Sequence, residues 1–390
     1  MKLFSTLRHN LLLFGLLIWL FSAFLRPTTG YAQHIPDANF ANAIRSVCPN
    51  CIDASNDLLA PAANLTNLDV SNKNIADLTG IGGFTSLERL YCQKNKLLIL
   101  PTLPNTLITL NCQNNQLNNI TTLPNNLLVL LCDANHLTRL PDLPNNLGEL
   151  FCTQNLLTFL PDLPNNLYRL FCDNNQLNSL PSLPNNLRFL HCSYNQLIVL
   201  PPLPNFLYEL YCDNNQLISL PYLSNILHNG LRVLNCNNNK IIFLPSLPDN
   251  LYALNCSNNQ LNNLPSLPKG LFLLVCFNNL LACIPTLPDL IEELYMDADR
   301  ITCLPNTTAK LAVFNSSSIR IPTPPLCPST LTHTAGTLAM GTYVATQTIS
   351  SAASLSLGVT NYHTSQSITL NPGFQTGDSR TFSAEIRGCQ

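Results

Sequence analysis

The chemically most distinctive residues of this sequence are its 16 cysteines. Cysteine thiolates bind zinc, exchange disulfides and act as nucleophiles. Ten of the cysteines follow one another at intervals of twenty residues, with one interval of 24 residues: Cys92, Cys112, Cys132, Cys152, Cys172, Cys192, Cys212, Cys236, Cys256 and Cys276. This spacing predicts that the ten thiols occupy equivalent positions in successive structural repeats rather than one reactive site.

Each of these cysteines lies in the phrase LxxLxCxxNxL, with Ile241 in place of the last leucine after Cys236, and it takes an inward-facing position after two leucines. A cysteine in that place behaves as a small buried apolar residue. Parallel strands lie about 4.8 Å apart, which keeps in-register Cβ atoms farther apart than the roughly 3.8 Å that a disulfide needs. The loops supply no second ligand at the spacing of a tetrahedral metal site. We therefore predict a ladder of free, buried thiols, with no bound metal and no cofactor.

The other six cysteines lie towards the ends of the repeats: Cys48, Cys51, Cys283, Cys303, Cys327 and Cys389. Cys48 and Cys51 form a CxxC motif ahead of the first repeat, where a disulfide that tightens the N-terminal cap is predicted. Near the other end, a bridge between Cys303 and either Cys283 or Cys327 would close the array. The sequence does not choose between these two pairings.

Two polar columns accompany the ladder. An asparagine stands three residues after each ladder cysteine, from Asn95 to Asn279. Its side chain is predicted to satisfy backbone groups in the turn that leaves the strand, because buried backbone groups need partners. Asp133, Asp173 and Asp213 directly follow a cysteine. These aspartates are two repeats, about 10 Å, apart and cannot share a calcium ion, so a solvated polar edge is predicted.

The element that positions these columns is the repeated phrase LPxLPxxLxxLxCxxNxL, as in LPDLPNNLGELFCTQNLL at residues 140–157. A fixed period of this length indicates a solenoid, in which each repeat forms one coil. The parallel strand of one coil is predicted at Leu130 to Cys132. Twenty residues leave no room for a helix on the return path, and prolines such as Pro141 and Pro144 remove amide donors. The return path is therefore predicted to be extended and polyproline-like.

The first 32 residues have the features of a secretory leader. Lys2 and Arg8 precede the apolar run from Leu11 to Leu25, and cleavage is predicted after Ala32. An uncleaved anchor is the alternative, but this run is shorter than the roughly 20 residues of a bilayer span. The mature chain is predicted to be secreted or held at the cell surface, with no transmembrane span.

Residues 33–64 form the predicted N-terminal cap, where Phe40, Ile44 and Val47 recur at helical spacing after Asp37. The repeats follow at residues 65–305, and residues 306–330 are the predicted C-terminal cap. Residues 331–390 alternate in polarity and are rich in serine, threonine, alanine and glycine, which predicts a small β-rich module or a continuation of the stack.

Composition excludes several functions. Charged residues make up 10% of the chain and the net charge is -2, so the sequence has no basic stripe for nucleic acid. The chain lacks HExxH, GxSxG, a glycine-rich phosphate loop and carboxylate pairs in an apolar setting. We predict that the protein is not an enzyme.

The solvent-facing side of the predicted sheet carries the variable residues, and aromatic side chains cluster there. The position just before the cysteine gives one file, about 15 Å long, in four consecutive coils: Phe151, Phe171, His191 and Tyr211. Beside this file stand Tyr168, Arg169, Arg188, Phe189, Tyr208 and Glu209. Exposed aromatics with arginine are typical of binding hot spots, so these ten residues, the aromatic patch, are the predicted partner-binding site. Alternatively, the stacked rings only stabilise the sheet.

The LPxLPxxLxxL phrase resembles the short class of bacterial leucine-rich repeats found in type III secreted effectors. The IPDANF segment at residues 35–40, together with the LxCxxNxL ladder, resembles secreted leucine-rich repeat proteins of Gram-negative bacteria, and the segments 366–374 and 381–389 resemble a small β-strand module that accompanies them. The resemblance implies a horseshoe with a parallel β-sheet on its concave face. The ubiquitin ligase activity of some such effectors is not carried over, because no segment after residue 330 is long enough.

These observations predict an exported, non-enzymatic repeat protein that binds a protein or glycan partner through its concave face. The alternative is a structural surface or adhesion element without a discrete ligand site. Concentrated sequence constraint at the aromatic patch among close relatives would favour recognition, whereas an even spread would favour a scaffold.

Overall fold

The computed structural model describes residues 33–223, 230–297 and 300–302 in full, and beyond residue 302 the backbone of nine short strands. The predicted leader, most of the predicted C-terminal cap, and Cys303, Cys327 and Cys389 lie outside the described residues. The chain divides into two compact units, Met1–Leu127 and Leu128–Gln390.

In the described residues of the first unit, from 33 onward, an α-helix is followed by parallel strands. The helix α1 (Ala38–Val47) precedes β1 (Asn67–Asp69), which pairs with β2 (Arg89–Tyr91), and β2 pairs in turn with β3 (Thr109–Asn111). Three 3-10 segments connect these elements: Pro49–Cys51, Ala60–Asn64 and Ile81–Gly83.

Asp37 forms the N-cap of α1 and also holds the helix to the first coil. Its Oδ1 accepts hydrogen bonds from the backbone N–H groups of Asn39 and Phe40, at 2.8 and 3.0 Å. Its Oδ2 accepts from the N–H groups of Ala76 and Asp77, at 2.8 and 3.1 Å. Burial raises the pKa of Asp37, but the four N–H donors outweigh it and lower the pKa below the ordinary value.

The apolar face of α1 is narrower than its sequence predicts. Phe40 and Ile44 are buried as expected, whereas Val47 is 44% exposed because the helix ends there. Cys48 and Cys51 form a close pair just after the helix, with their Cα atoms 5.3 Å apart, as predicted for the cap. Cys283 is also disulfide-bonded.

In the second unit ten parallel strands pair in chain order: β4 (Val129–Leu131), β5 (Glu149–Phe151), β6 (Arg169–Phe171), β7 (Phe189–His191), β8 (Glu209–Tyr211), β9 (Val233–Asn235), β10 (Ala253–Asn255), β11 (Leu273–Val275), β12 (Glu293–Met296) and β13 (Ala312–Asn315). The 24-residue interval does not disturb the register, since Glu209 pairs with Val233 as Phe189 pairs with Glu209. The extra four residues therefore fall outside the strands.

Leucine and cysteine fill the interior of both units. The central residue of each strand, for example Leu150 or Leu170, is buried, and so is every ladder cysteine. The strand β4 ends at Leu131, one residue earlier than predicted, but the backbone N–H of Cys132 still donates to the Phe151 carbonyl at 2.8 Å. The ladder cysteines are buried thiols and not disulfides, which confirms that prediction.

The asparagine column satisfies backbone groups of two coils at once, as predicted. The Nδ2 of Asn155 donates to the carbonyls of Cys132, Cys152 and Thr153, at 3.1, 3.1 and 3.3 Å. Its Oδ1 accepts from the N–H of Leu137 at 3.0 Å. Each such side chain thereby replaces backbone partners that a tight turn cannot supply.

The residue before each ladder asparagine adopts the left-handed conformation, which the sequence analysis did not anticipate. Ala134 and Gln154, for instance, have φ angles of 52° and 55°. Asparagine tolerates this conformation better than most residues. It occupies the position in six coils: Asn114, Asn174, Asn214, Asn238, Asn258 and Asn278.

Within the described repeats, from residue 84 onward, the return paths contain no helix, as the prolines predict. Each path ends in a turn, such as the one closed by the Leu147 N–H on the Pro144 carbonyl at 3.0 Å. Exposed asparagines connect these turns from one coil to the next. Asn166 Nδ2, for example, donates to the Asn145 carbonyl at 3.1 Å.

Beyond residue 329 the backbone forms eight strands in three parallel sheets. The first sheet holds β14 (Thr330–His333), β17 (Thr348–Ser351) and β20 (Ser367–Leu370). The other two contain β15 (Thr337–Leu338) with β18 (Ser354–Leu355), and β16 (Gly341–Ala345) with β19 (Thr360–Thr364) and β21 (Phe382–Ile386). Every pairing among these strands is parallel and joins strands that are not consecutive in the chain.

Candidate functional site

The aromatic file lies on β5 to β8. In-register pairing places Phe151 beside Phe171, Phe171 beside His191, and His191 beside Tyr211. The centroids of successive rings are 4.7, 4.0 and 4.5 Å apart, and the Phe171 and His191 rings are parallel to within 4°. All four side chains are half-buried. The structure thus brings together the four residues of the file.

Arg169 is held at the centre of the patch by contacts on three sides. Its guanidinium carbon lies 5.6 Å from the ring centroid of Tyr168 and 5.1 Å from that of Phe189, and its Nη1 lies 3.3 Å from Glu149 Oε2. The Tyr168 hydroxyl donates to the other carboxylate oxygen of Glu149. Because ionisation of the hydroxyl would forfeit this hydrogen bond, the pKa of Tyr168 is raised.

Glycine at position 148 makes this arrangement possible. A Cβ added to Gly148 would lie 3.0 Å from Cε1 of the Tyr168 ring. The ring therefore lies across the backbone of the preceding coil and directs its hydroxyl to Glu149. Neither Gly148 nor Glu149 was predicted as a site residue, because the sequence does not reveal which way the Tyr168 ring turns.

The remaining patch residues lie around the file. The rings of Phe189 and Tyr208 meet edge to face with their centroids 5.9 Å apart, and Tyr208 is 39% exposed. Arg188 is exposed, and none of the described residues forms an ion pair with it. Glu209 Oε2 lies 3.5 Å from Nε2 of His191. This nitrogen is shielded from solvent, and its contact with Glu209 does not have the geometry of a hydrogen bond.

The aspartate column is structural, and the predicted solvated edge is wrong. Asp133 Oδ1 and Asp173 Oδ1 accept hydrogen bonds from backbone N–H groups of the next coil, at 2.7 and 2.8 Å. Asp213 is buried and accepts from Ser193 Oγ and Asn235 Nδ2, at 2.5 and 2.9 Å. These donors lie one coil away, so spacing within the column did not reveal them. Burial raises the pKa of Asp173, and the nearby Asp213 carboxylate adds to this.

The thiols of the ladder are unsuited to catalysis. Burial raises the pKa of Cys92, Cys236 and Cys276 to about 12, and raises the pKa of Cys152 well above the ordinary value of 9.0. A nucleophilic cysteine needs the opposite shift and access to solvent. Instead, the Sγ of Cys172 donates a weak hydrogen bond to the His191 carbonyl at 3.4 Å.

The part of the chain that the structure describes shows neither a metal site nor a membrane-spanning helix. In that part, no three histidine, cysteine, aspartate or glutamate side chains come together as metal ligands. No helix there combines the length and the apolar character that a membrane span requires.

A second column of the sheet extends beyond the predicted patch. It stands four residues before each ladder cysteine, where successive backbone N–H groups donate to the carbonyl of the preceding member at 2.7 to 3.0 Å. We call it the amino-edge strip: Tyr168, Arg188, Tyr208, Arg232, Tyr252 and Phe272. The predicted patch did not include Arg232, Tyr252 and Phe272, because it followed the aromatic file, which ends at Tyr211 and is replaced by Asn235 and Asn255 in the next two coils. The alternation of aromatic and arginine residues was the signal that could have revealed them.

Comparison with solved structures identifies the fold. No protein-family model and no curated protein matches the sequence. Among solved structures, the chain is similar to YopM from Yersinia enterocolitica WA-314, with 33% identity and a TM-score of 0.55 over 65% of this chain and 60% of that chain. It is also similar to YopM of Yersinia pestis, a leucine-rich effector protein, with 28% identity and a TM-score of 0.56 over 71% and 88% of the two chains.

The fold is a leucine-rich repeat solenoid. An internalin from Listeria monocytogenes supports the same fold, with 18% identity and a TM-score of 0.50 over 73% of this chain and 96% of its own. The present chain spans only 60% of the length of YopM from Y. enterocolitica. This likeness and the twenty-residue parallel coils confirm the predicted fold class.

Proposed function

We propose that the chain is an exported, non-enzymatic leucine-rich repeat protein that binds a protein or glycan partner through the aromatic patch. The observation that carries this proposal is the concentration of partly exposed rings and arginines on four neighbouring coils. Tyr208 is 39% exposed, and Arg188 beside it has no ion-pair partner among the described residues. Aromatic and arginine side chains are the residues that most often anchor a protein partner.

Export is supported by the leader-like first 32 residues and by the close pair of Cys48 and Cys51, since disulfides persist in oxidising compartments. The buried ladder is compatible with such a compartment, because thiols without solvent access resist oxidation. Intact mass measurement of the exported protein is expected to show Gln33 as its first residue. A mass that retained residues 1–32 would favour the uncleaved anchor.

The binding proposal is tested by comparing variants in one capture experiment. The full exported chain is immobilised, exposed to surface extracts of its environment, and the retained molecules are identified by mass spectrometry. Tyr208→Ala and Arg188→Ala are expected to abolish retention of a specific molecule while changing the thermal midpoint by no more than a few degrees, because both side chains are exposed. Phe159→Ala, at a 53% exposed aromatic outside the strands, is the matched control and is expected to retain it.

A structural role is the second candidate, and the ring geometry favours it in part. The centroid distances of 4.0 to 4.7 Å show that the rings of the file contact one another and therefore stabilise the sheet. If the patch variants lose stability but capture the same molecules as the unaltered chain, the protein is a structural surface element. The binding proposal would then be wrong.

A further inference from the structure

The amino-edge strip is a periodic surface of two alternating chemistries. From Tyr168 onward, aromatic rings and guanidinium groups alternate through Arg188, Tyr208, Arg232 and Tyr252. Continuous backbone hydrogen bonds keep adjacent members in neighbouring coils, so members of the same kind recur every second coil. At about 4.8 Å per coil, this repeat is about 9.6 Å long.

Both arginines of this strip differ from the arginine in the patch centre. Arg169 is neutralised by Glu149, whereas Arg188 and Arg232 are exposed and have no acidic partner within 4.0 Å among the described residues. The Arg232 guanidinium carbon lies 5.6 Å from the Tyr252 ring centroid, which leaves its N–H donors free to meet a ligand. The strip therefore carries two unneutralised positive charges about 9.6 Å apart.

Aromatic surface fills the space around these charges. Tyr208 and Tyr252 are 39% and 41% exposed, and the Tyr252 ring stacks on Phe272 with centroids 5.0 Å apart and planes within 7°. The stacking holds the Tyr252 ring in place before a ligand arrives, which lowers the entropic cost of binding.

The ends of the strip define its length. On one side it meets Gly148, which has no side chain, and on the other side Glu292, whose carboxylate would repel an anion. Between these limits the strip spans six coils, or about 24 Å.

The geometry points to a partner segment in the polyproline II conformation with a carboxylate at every third residue. This inference deepens the proposed binding function and rests on it. A polyproline II helix has three residues per turn and rises about 3.1 Å per residue, so its repeat is about 9.3 Å. That length matches two coils. One carboxylate per turn would face each arginine, and proline rings would pack on the tyrosines, as in other aromatic-lined grooves.

Synthetic peptides test the match directly by fluorescence anisotropy with the full exported chain. Three repeats of Glu-Pro-Pro, about 28 Å long, are expected to bind, and binding is expected to weaken with added salt. Arg188→Gln and Arg232→Gln are each expected to weaken it about tenfold, which is typical of a lost charge-assisted hydrogen bond. Arg139→Gln, at an exposed arginine outside the strip, is the matched control and is expected to change nothing.

Three control peptides separate period, conformation and charge. Three repeats of Glu-Pro-Pro-Pro keep the charges but place them about 12 Å apart, and they are expected to bind several times more weakly. The inference is overturned if these repeats, flexible Glu-Gly-Ser repeats or Lys-Pro-Pro repeats bind as well as Glu-Pro-Pro. It is equally overturned if Glu-Pro-Pro does not bind, or if an acidic polysaccharide binds and Glu-Pro-Pro does not.

Failure of this inference is distinguishable from failure of the proposed function. If no peptide binds but Tyr208→Ala still abolishes capture of a specific molecule, the patch is a binding site for a partner of other chemistry. If neither result is obtained, both proposals are wrong.

Discussion

Adjacent residues of each coil belong to two very different surfaces. Cys152 and Cys172 lie in the uniform interior, where burial raises the pKa of each thiol. Phe151 and Phe171, one residue earlier, lie on the opposite side of the sheet and are half-buried. The interior column is the same residue in ten coils, whereas the outer column changes from coil to coil. Packing dictates the first column, and the second is left available for recognition.

The largest expected difference between the two columns appears at alkaline pH. The folded-state pKa of the thiols lies above the ordinary value of 9.0, near 12 for Cys92 and Cys236. Stability is therefore intact below pH 9 and falls as the pH rises towards 12, because only the unfolded chain releases these protons. At pH 10 each thiol whose pKa lies near 12 costs on the order of 1 kcal/mol, so Cys92, Cys236 and Cys276 together remove a few kcal/mol from a typical stability of about 5 to 15 kcal/mol.

Denaturant unfolding measured between pH 8 and pH 10.5 checks this expectation. A variant with Cys132→Ala, Cys152→Ala and Cys172→Ala provides the control. Its unfolding should release about three fewer protons, so its free energy of unfolding should fall less steeply with pH. An identical pH dependence in the two proteins would contradict the buried ladder.

A smaller effect is expected from the interior asparagines. Asn155→Ala would leave the Leu137 N–H and the Cys132 carbonyl without side-chain partners, and should lower the free energy of unfolding by about 1 to 3 kcal/mol. Asn166→Ala removes only an exposed side-chain contact to the Asn145 carbonyl, and is expected to cost less than about 0.5 kcal/mol. Chemical denaturation of both variants measures the difference. Equal losses in the free energy of unfolding would show that the interior asparagines stabilise the fold no more than the exposed ones.

Of the interior and outer columns, the outer one is expected to give the smaller loss of stability. Phe171→Ala removes ring contacts at 4.7 and 4.0 Å to Phe151 and His191, and should cost about 1 kcal/mol in the free energy of unfolding. Thermal denaturation measures this cost. A loss above about 3 kcal/mol would place Phe171 in the core and weaken the distinction between the two surfaces.

The periodic part of the molecule was predictable because the same physical requirement recurs in every coil. Strand register, buried thiols and the contacts of Asn155 all follow from the spacing of leucine, cysteine and asparagine. The capping by Asp37 was predictable in part, since its contacts to Asn39 and Phe40 are local, whereas its contacts to Ala76 and Asp77 join distant segments.

The candidate site was predictable as a set of neighbours but not as an arrangement. Register alone places Phe171 next to His191, yet their parallel stacking depends on rotamers that the sequence does not encode locally. The role of Asp213 was missed because its partners, Ser193 and Asn235, stand in other coils. The amino-edge strip was missed in part because Arg232 stands in a coil whose file position holds Asn235 rather than an aromatic residue.

The asparagine contacts run in one direction along the chain. Asn175 serves the Leu157 N–H and the Cys152 carbonyl of the coil before it, and Asn195 does the same for Leu177 and Cys172. Each turn of the stack is thus completed only when the following one has formed. Assembly that proceeds from the amino end, as during synthesis on the ribosome, would finish one coil at a time and leave only the newest coil with unmet backbone groups.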